Sequence, residues 1–325
     1  MFEKVAPPLL AAFCLALSAC SEVKVPEPSI PPHPAPTESA PLAYVLGDTE
    51  VRDITSGPLG RTYQLFVCLP SSYEKRPAHR FPVLFVTDAS YAFPLVRGIG
   101  RMVGDQGRGL EDFVLIGLSY AKGDTAQYSR RRDYTPTPNS EDIVSDMPGR
   151  PVVHGEAEAY RRFIRNEVFP LVAEHYRVDM DRKIFAGHSY GGLLGAHILL
   201  TEPTMFERYI LSSPSLWYDD RVMLAREGAY AAVHTDMRAD VFLSIGSFET
   251  VNPSSSNKRY HRNNDMVRDL RKFEAQLRSR RYPGLRIESK VIDDEDHLTV
   301  YPAAITRGLM WALPARPELN EIVGS

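Results

Sequence analysis

The stretch from Gly187 to Gly192 reads Gly-His-Ser-Tyr-Gly-Gly, which places a serine in a G-x-S-x-G pattern. An apolar run precedes it at residues 183–186, and a second follows it at residues 193–200. This strand–turn–helix setting is typical of a nucleophile elbow, in which glycines allow a strained turn to project the serine hydroxyl above a sheet. The motif predicts that Ser189 is the nucleophile of a serine hydrolase.

A serine nucleophile needs a histidine base, and behind this type of elbow the acid and then the histidine follow the serine along the chain. His297 lies in a loop after the last apolar run and just before the closing helical segment. His197 falls inside the helix after the motif, and His234 precedes a strand. We therefore predict His297 as the base, with His261 as the alternative.

The acid is expected at the end of the preceding strand, and residues 241–246 lead directly to Glu249. The carboxylate of Glu249 would accept the Nδ1 proton of His297 and stabilise the imidazolium. The alternatives belong to an acidic loop too close to His297 in sequence: Asp293, Asp294 and Asp296. Neither paired histidines nor regularly spaced carboxylates predict a metal site, and no cofactor is expected.

An acyl transition state also needs two hydrogen-bond donors for its oxyanion. The backbone amide of Tyr190, the residue after the nucleophile, is one candidate. The other is an amide at the end of the strand that closes with Val86-Thr87-Asp88, which is that of Ala89 or Ser90.

Apolar runs alternate with helical stretches along the rest of the chain. Candidate strands are residues 61–69, 82–87, 113–119, 183–187, 208–212, 241–246 and 286–292. Helical periodicity is strongest over residues 157–175, 190–200 and 264–281. This alternation predicts an α/β-hydrolase fold with a mostly parallel central sheet and helices on both faces. The polar segment of residues 120–153 follows a strand, so we expect it to form a wall of the substrate cleft.

The composition is that of a globular protein: 43% of the 325 residues are hydrophobic and 24% are charged. The formal net charge of -3 provides no overall basic field for nucleic acid, so no nucleic-acid partner is expected. The expected partners are a small-molecule ester, as the substrate of the predicted serine hydrolase, and a membrane, which the amino-terminal sequence indicates.

The amino terminus has Lys4, an apolar stretch from Leu9 to Leu17, and then Ser18-Ala19-Cys20. Residues 1–20 resemble a bacterial lipoprotein signal with its lipobox, which implies lipidation of Cys20 and an extracytoplasmic, membrane-anchored protein on the periplasmic side. An ordinary secretory signal and a single membrane anchor are the alternatives. Residues 21–44 are proline-rich and predict a semi-rigid spacer. Residues 45–315 form the predicted catalytic domain, and residues 316–325 form a tail.

Four stretches resemble the esterase family that includes esterase D, the mycolyltransferase antigens and the enterobactin-type siderophore esterases. They are residues 85–88 (Phe-Val-Thr-Asp), 131–136 (Arg-Arg-Asp-Tyr-Thr-Pro), 187–192, and 213–217 (Ser-Pro-Ser-Leu-Trp). The second and fourth resemble the siderophore-esterase branch in particular. Many relatives have glycine where this chain has Ala89.

The resemblance implies a serine ester hydrolase that acts on a catecholate lactone or its linear ester, with a ferric siderophore among the candidate ligands. It also implies that an arginine of the polar segment contacts substrate oxygens. The candidates are Arg130, Arg131 and Arg132, and the last two are favoured. Trp217 is a candidate to stack on an aromatic acyl group, or to pack the cleft wall. A general short-chain carboxylesterase, an acyltransferase and a non-catalytic ligand-binding lipoprotein are the rival functions.

Overall fold

The structure is a computed structural model that describes residues 43–104, 109–138 and 145–315. The chain divides into two units, Met1–Val45 and Leu46–Ser325, and every element below belongs to the second. The predicted signal with Cys20, nearly all of the proline-rich spacer and the carboxyl-terminal tail lie outside the described residues. Within the described ranges, no helix combines the length and apolar composition needed to cross a bilayer.

One sheet of eight strands organises the second unit. The strands are β1 (Thr49–Ser56), β2 (Arg61–Cys68), β3 (Phe81–Val86), β4 (Val114–Ala121), β5 (Val178–His188), β6 (Arg208–Ser212), β7 (Ala239–Gly246) and β8 (Leu285–Ile292). Their order in the sheet is β1-β2-β4-β3-β5-β6-β7-β8. Strands β1 and β2 pair antiparallel with their neighbours, whereas β3 to β8 are parallel.

Helices cover both faces of this sheet. They are α1 (Ala89–Gly104), α2 (Ala126–Tyr134), α3 (Ala157–Phe163), α4 (Phe169–His175), α5 (Tyr190–Thr201), α6 (Tyr218–Val233), α7 (Met266–Ser279) and α8 (Val300–Ala312). A π-helical turn, Ile164–Val168, joins α3 to α4. Helices α1 and α8 pack on one face, and α2 to α7 contribute to the core on the other. The predicted α/β-hydrolase class is confirmed.

The central strands are apolar along their length because both of their faces are covered. All six residues of β3 are buried, as are the last five of β5 and the last six of β7. The three predicted helical segments correspond to α3–α4, α5 and α7. The seven predicted strands correspond to β2 through β8, each within five residues at either end.

Strand β1 and helices α1, α2 and α6 were not among the predicted elements. Strand β1 is an edge strand with half of its residues exposed, so its sequence lacks a continuous apolar run. Helix α2 lies in the polar segment, where the side chain of Thr125 caps the helix by accepting a hydrogen bond from the amide of Tyr128. Its low apolar content hides it from a search for periodicity.

Candidate active site

The carboxyl ends of β3, β5, β6, β7 and β8 lie side by side, because these five strands are consecutive in the parallel sheet. Asp88 lies just beyond β3, Ser189 follows β5, and Ser213 follows β6. Glu249 follows β7, and His297 follows β8. The topology therefore brings these side chains to one edge of the sheet, where α/β proteins place their sites.

Ser189 has a backbone conformation rare for a residue with a side chain, with φ 60° and ψ −119°. The packing around the turn explains its glycines. A Cβ atom on Gly187 would lie 2.3 Å from the carbonyl oxygen of Gly191, and one on Gly191 would lie 2.2 Å from Thr87 Oγ1. The backbone is thus strained at Ser189, and the turn packs so tightly that only glycine fits at positions 187 and 191.

Ser189, His297 and Glu249 form a continuous hydrogen-bonded chain. His297 Nε2 lies 3.0 Å from Ser189 Oγ, and His297 Nδ1 lies 2.6 Å from Glu249 Oε2. These distances suit a histidine that accepts the serine proton at Nε2 while a carboxylate orients it through Nδ1. The structure thus brings together the three residues predicted as nucleophile, base and acid.

Glu249 is fully buried, and two donors hold its other oxygen. The hydroxyl of Ser213 donates to Oε1 at 2.6 Å, and the amide of Gly246 donates to the same atom at 2.9 Å. Ser213 has φ 42°, so its backbone is strained at the point where the hydroxyl reaches the carboxylate. These donors compensate the burial of a carboxylate and fix the oxygen that faces His297.

His188, which belongs to the G-x-S-x-G motif, supports the loop of His297 in the hydrogen-bonded chain. Its Nε2 lies 3.0 Å from the backbone carbonyl of His297, and its Nδ1 lies 3.1 Å from the hydroxyl of Ser212. A carbonyl only accepts, so Nε2 carries the hydrogen and Nδ1 accepts from Ser212. Burial, followed by the proximity of His297, lowers the pKa of His188 to about 3, which keeps the ring neutral. A neutral His188 thereby anchors the loop that carries the base.

The segment of residues 212–215 contacts the nucleophile, the acid and His188. The carbonyl of Ser212 accepts from the amide of Ser189 at 3.0 Å. The amide of Ser215 donates to the carbonyl of Ser189 at 3.2 Å, and the two hydroxyl oxygens are 3.4 Å apart. Together with the contact from Ser213 to Glu249, these bonds hold the nucleophile and the acid on one short stretch of backbone.

The predicted oxyanion donors lie at two neighbouring helix termini. Ala89 and Ser90 begin α1, Tyr190 begins α5, and the end of β3 packs against the first turn of α5 at Gly191. Backbone amides at helix amino termini point outward and favour negative charge. The arrangement suits an oxyanion hole built from Tyr190 and the start of α1, which stays a prediction.

Among the three candidate arginines, Arg130 lies over the ring of Tyr190, the residue after the nucleophile. Its Nε lies 2.8 Å from Asp88 Oδ1, and its guanidinium carbon lies 5.6 Å from the centroid of the Tyr190 ring. Burial alone would lower the pKa of Arg130, but attraction to Asp88 raises it, so the side chain is a fixed cation. The hydroxyl of Tyr120 also donates to Asp88 Oδ1 at 2.8 Å.

Arg131 and Arg132 both pair with carboxylates, and their contact with substrate stays a prediction. Arg132 is 3% exposed and forms ion pairs with Asp124 at 2.7 Å and Asp133 at 2.8 Å. Arg131 pairs with Asp146 at 3.3 Å. Both guanidinium groups are paired with carboxylates of the polar segment itself, and these pairs compensate the burial of Arg132.

Trp217 lies next to the nucleophile and is partly exposed. The centroid of its ring is 6.2 Å from that of the Tyr190 ring, and the Arg130 guanidinium also lies over the Tyr190 ring. Arg130, Tyr190 and Trp217 therefore form a cationic and aromatic face beside Ser189, which we call the aromatic wall.

The alternative site residues occupy other positions. His261 lies beside the base, with its ring 5.8 Å from that of His297, and burial lowers its pKa. Asp294 and Asp296 pair with Arg259 at 2.8 and 2.7 Å, and Asp293 is exposed. The acidic loop is thus pinned by an arginine and does not supply the carboxylate that faces Nδ1 of His297.

Sequence reasoning missed His188, Ser213 and Asp88 as parts of the site. The first is the variable position of the G-x-S-x-G motif, and the second opens the Ser-Pro-Ser stretch. A polar residue just beyond each parallel strand was a usable signal, because all such residues meet at one edge.

Comparisons with known proteins find similar chains. A family model described as putative esterase matches residues 56–299. Ferri-bacillibactin esterase BesA of Bacillus subtilis is 30% identical over 289 residues, covering 86% of this chain and 94% of that protein. Siderophore triacetylfusarinine C esterase of Aspergillus fumigatus is 25% identical over 295 residues, with coverages of 86% and 94%. The crystal structure of BES protein from Bacillus cereus superposes with a TM-score of 0.69 at 23% identity, covering 84% of this chain and 98% of that one.

Proposed function

The chain belongs to the putative esterase family, and from that premise we propose that it hydrolyses siderophore esters through an acyl-enzyme on Ser189. The observation that carries the proposal is the hydrogen-bonded chain of Ser189, His297 and Glu249 at a strained elbow. Elbow, base and buried acid are the parts that acyl transfer to a serine requires.

In the first half of the reaction, Ser189 Oγ attacks the ester carbonyl while His297 Nε2 takes the hydroxyl proton. The oxyanion of the tetrahedral intermediate faces the amides of Tyr190 and of Ala89 or Ser90. Glu249 stabilises the imidazolium through Nδ1. The carbon–oxygen bond to the alcohol then breaks, and His297 returns its proton to the departing alkoxide, leaving an acyl group on Ser189.

In the second half, water replaces the alcohol as the attacking group. His297 takes a proton from water as the hydroxide adds to the acyl carbon. The second tetrahedral intermediate collapses, Ser189 recovers its proton from His297, and the free acid departs. Each ester cleaved therefore consumes one water and yields one acid and one alcohol, and a cyclic lactone opens to a linear chain.

Two considerations favour a siderophore ester as the substrate. The similar proteins named above are described as esterases of ferri-bacillibactin and of triacetylfusarinine C. Independently, the aromatic wall places two partly exposed side chains, Arg130 and Trp217, next to the buried Tyr190 ring beside Ser189. A planar cation and aromatic faces suit anionic aromatic groups such as catecholates.

The experiment compares hydrolysis of a ferric catecholate trilactone with that of p-nitrophenyl acetate. Arg130→Gln should lower kcat/KM for the trilactone by about 10- to 100-fold, the value of a charge-assisted contact, and lower it less for the small ester. Arg131→Gln is the matched control and should stay near wild type. Since Arg130→Gln also leaves Asp88 without its cation, the Asp88→Asn/Arg130→Gln double variant isolates the lost substrate contact.

Cleavage of the small ester alone by the wild type would refute the siderophore substrate and favour a general short-chain carboxylesterase. Product formed on an alcohol acceptor in preference to water would favour an acyltransferase. Binding of the trilactone without any cleavage would favour a ligand-binding protein.

We also propose that Cys20 carries lipid and tethers the enzyme outside the cytoplasm, with residues 21–44 as the spacer. The support is the signal-like sequence of residues 1–20 and the proline-rich composition that follows. Cys20→Ser should move the protein from the membrane fraction to the soluble fraction when expressed in a bacterium. An unchanged distribution would contradict the tether.

A further inference from the structure

We propose that Glu249, His261 and His297 form an inhibitory site for a divalent transition-metal ion such as Zn²⁺. Each of the three offers one ligand atom, and these atoms all lie within 4.8 Å of one another. The inhibitory consequence rests on the proposed function, whereas the binding itself does not.

The ligand chemistry fits this class of ion. Two imidazoles and one carboxylate are the protein ligands found in zinc sites that leave a fourth position to water or substrate. Glu249 is buried, whereas both histidines are partly exposed. Neutral imidazole also suits Co²⁺, Ni²⁺ and Cu²⁺, whereas Mg²⁺ and Ca²⁺ prefer oxygen ligands.

His261 is held at this place by its backbone. Its amide donates to the carbonyl of Phe248 at 3.2 Å, and its residue pairs with Val251 in an isolated parallel bridge. Phe248 directly precedes Glu249, so the same turn positions both the acid and the second imidazole. The centroids of the His261 and His297 rings are 5.8 Å apart and the ring planes are inclined by 68°, which is an edge-to-face arrangement.

Only a small adjustment separates this set from a coordinating geometry. Ligand atoms around tetrahedral Zn²⁺ are about 3.3 Å apart, given Zn–N bonds of about 2.0 Å. The 2.6 Å contact between His297 Nδ1 and Glu249 Oε2 must open slightly, and the third ligand must move closer by rotation of the His261 side chain. Glu249 stays fixed because Ser213 and Gly246 hold its other oxygen.

The bound metal would disable the base by changing its tautomer. Coordination at His297 Nδ1 requires that nitrogen to be unprotonated, so its proton transfers to Nε2. Nε2–H then faces Ser189 as a donor and is unable to accept the serine proton, so acyl transfer stops. Removal of the metal restores the original tautomer, which makes the inhibition reversible.

The test titrates Zn²⁺ into full-length protein, purified in detergent, during hydrolysis of p-nitrophenyl acetate. Wild type should be inhibited and should recover on addition of EDTA. His261→Gln should need a Zn²⁺ concentration higher by about tenfold or more for the same fractional inhibition, each variant being compared with its own metal-free rate. His175→Gln, which changes an exposed histidine at the end of α4, is the matched control and should behave as wild type.

A direct measurement of Zn²⁺ binding tests the metal site independently of the proposed esterase activity. Calorimetric titration of Ser189→Ala with Zn²⁺ should show one site that is weakened in Ser189→Ala/His261→Gln, whether or not the protein hydrolyses any ester. Equal Zn²⁺ affinity in these two proteins would overturn the site. Equal Zn²⁺ inhibition of wild type and His261→Gln would overturn the role of His261.

Discussion

At the scale of single residues, the site depends on polar side chains that position the three reacting groups. Ser213 holds Glu249, and His188 holds the backbone of His297 through a neutral ring. The contact of Ser213 is buried and that of His188 is partly buried, so losing either would leave a shielded polar group without its partner, which is costlier than the bond itself.

Because His188 is neutral in the folded protein, the free energy of unfolding should depend on pH. The ordinary histidine pKa is 6.5, and burial lowers that of His188 to about 3. Between these values the unfolded chain binds a proton that the folded chain does not, so the free energy of unfolding falls as pH falls from about 6.5 toward 3. The contribution is at most about 1.4 kcal/mol per pH unit for one proton.

His188→Asn removes this proton uptake from the unfolded state. We expect the variant to be less stable than wild type at neutral pH, and we expect the difference to shrink steadily on acidification through that window. Denaturant unfolding of both proteins at a series of pH values measures the effect. Stability curves that run parallel across the window would show that His188 is not buried and neutral in the folded protein.

At the scale of elements, the strand–elbow–helix unit of β5 and α5 sets the position of Ser189. Its glycines are required by close packing, since a Cβ on Gly187 would meet the backbone of Gly191 and a Cβ on Gly191 would meet the side chain of Thr87. Gly228 in α6 is different, because nothing lies within 4 Å of a Cβ added there.

Substitution by alanine should therefore damage the enzyme at Gly191 and stabilise it at Gly228. Gly191→Ala should displace the elbow and lower kcat by about 100-fold or more, because misplacement of about 1 Å has that cost. Gly228→Ala should raise the free energy of unfolding by about 0.5 to 1 kcal/mol through the higher helix propensity of alanine. Ester hydrolysis and thermal unfolding of the two variants test the pair, and a Gly191→Ala enzyme with wild-type kcat would contradict the packing argument.

The same scale explains what could be predicted from the sequence. The strand–turn–helix setting and chain order were enough to predict the three residues that the structure brings together, Ser189, Glu249 and His297. They were not enough to choose among Arg130, Arg131 and Arg132. Consecutive residues on a helix point about 100° apart, so the rotation of α2 about its axis decides which of the three faces the cleft. That rotation depends on the buried pairs of Arg132 with Asp124 and Asp133, which are tertiary contacts.

At the scale of the whole molecule, parallel strand order converts distant sequence positions into one site. Ser189 and His297 are 108 residues apart in sequence, yet their reacting atoms are within hydrogen-bond distance. The aromatic wall comes from α2, the first turn of α5 and the residue before α6. An esterase built in this way can change its substrate by changing the wall while the catalytic edge stays the same.

The most direct test of the central claim is the rate of ferric catecholate trilactone hydrolysis by wild type and by Ser189→Ala. The proposed mechanism predicts that the variant loses about four orders of magnitude or more in kcat while still binding the trilactone, and that wild type alone shows a covalent acyl adduct by mass spectrometry. Hydrolysis by Ser189→Ala at the wild-type rate would contradict the assignment of Ser189 as the nucleophile.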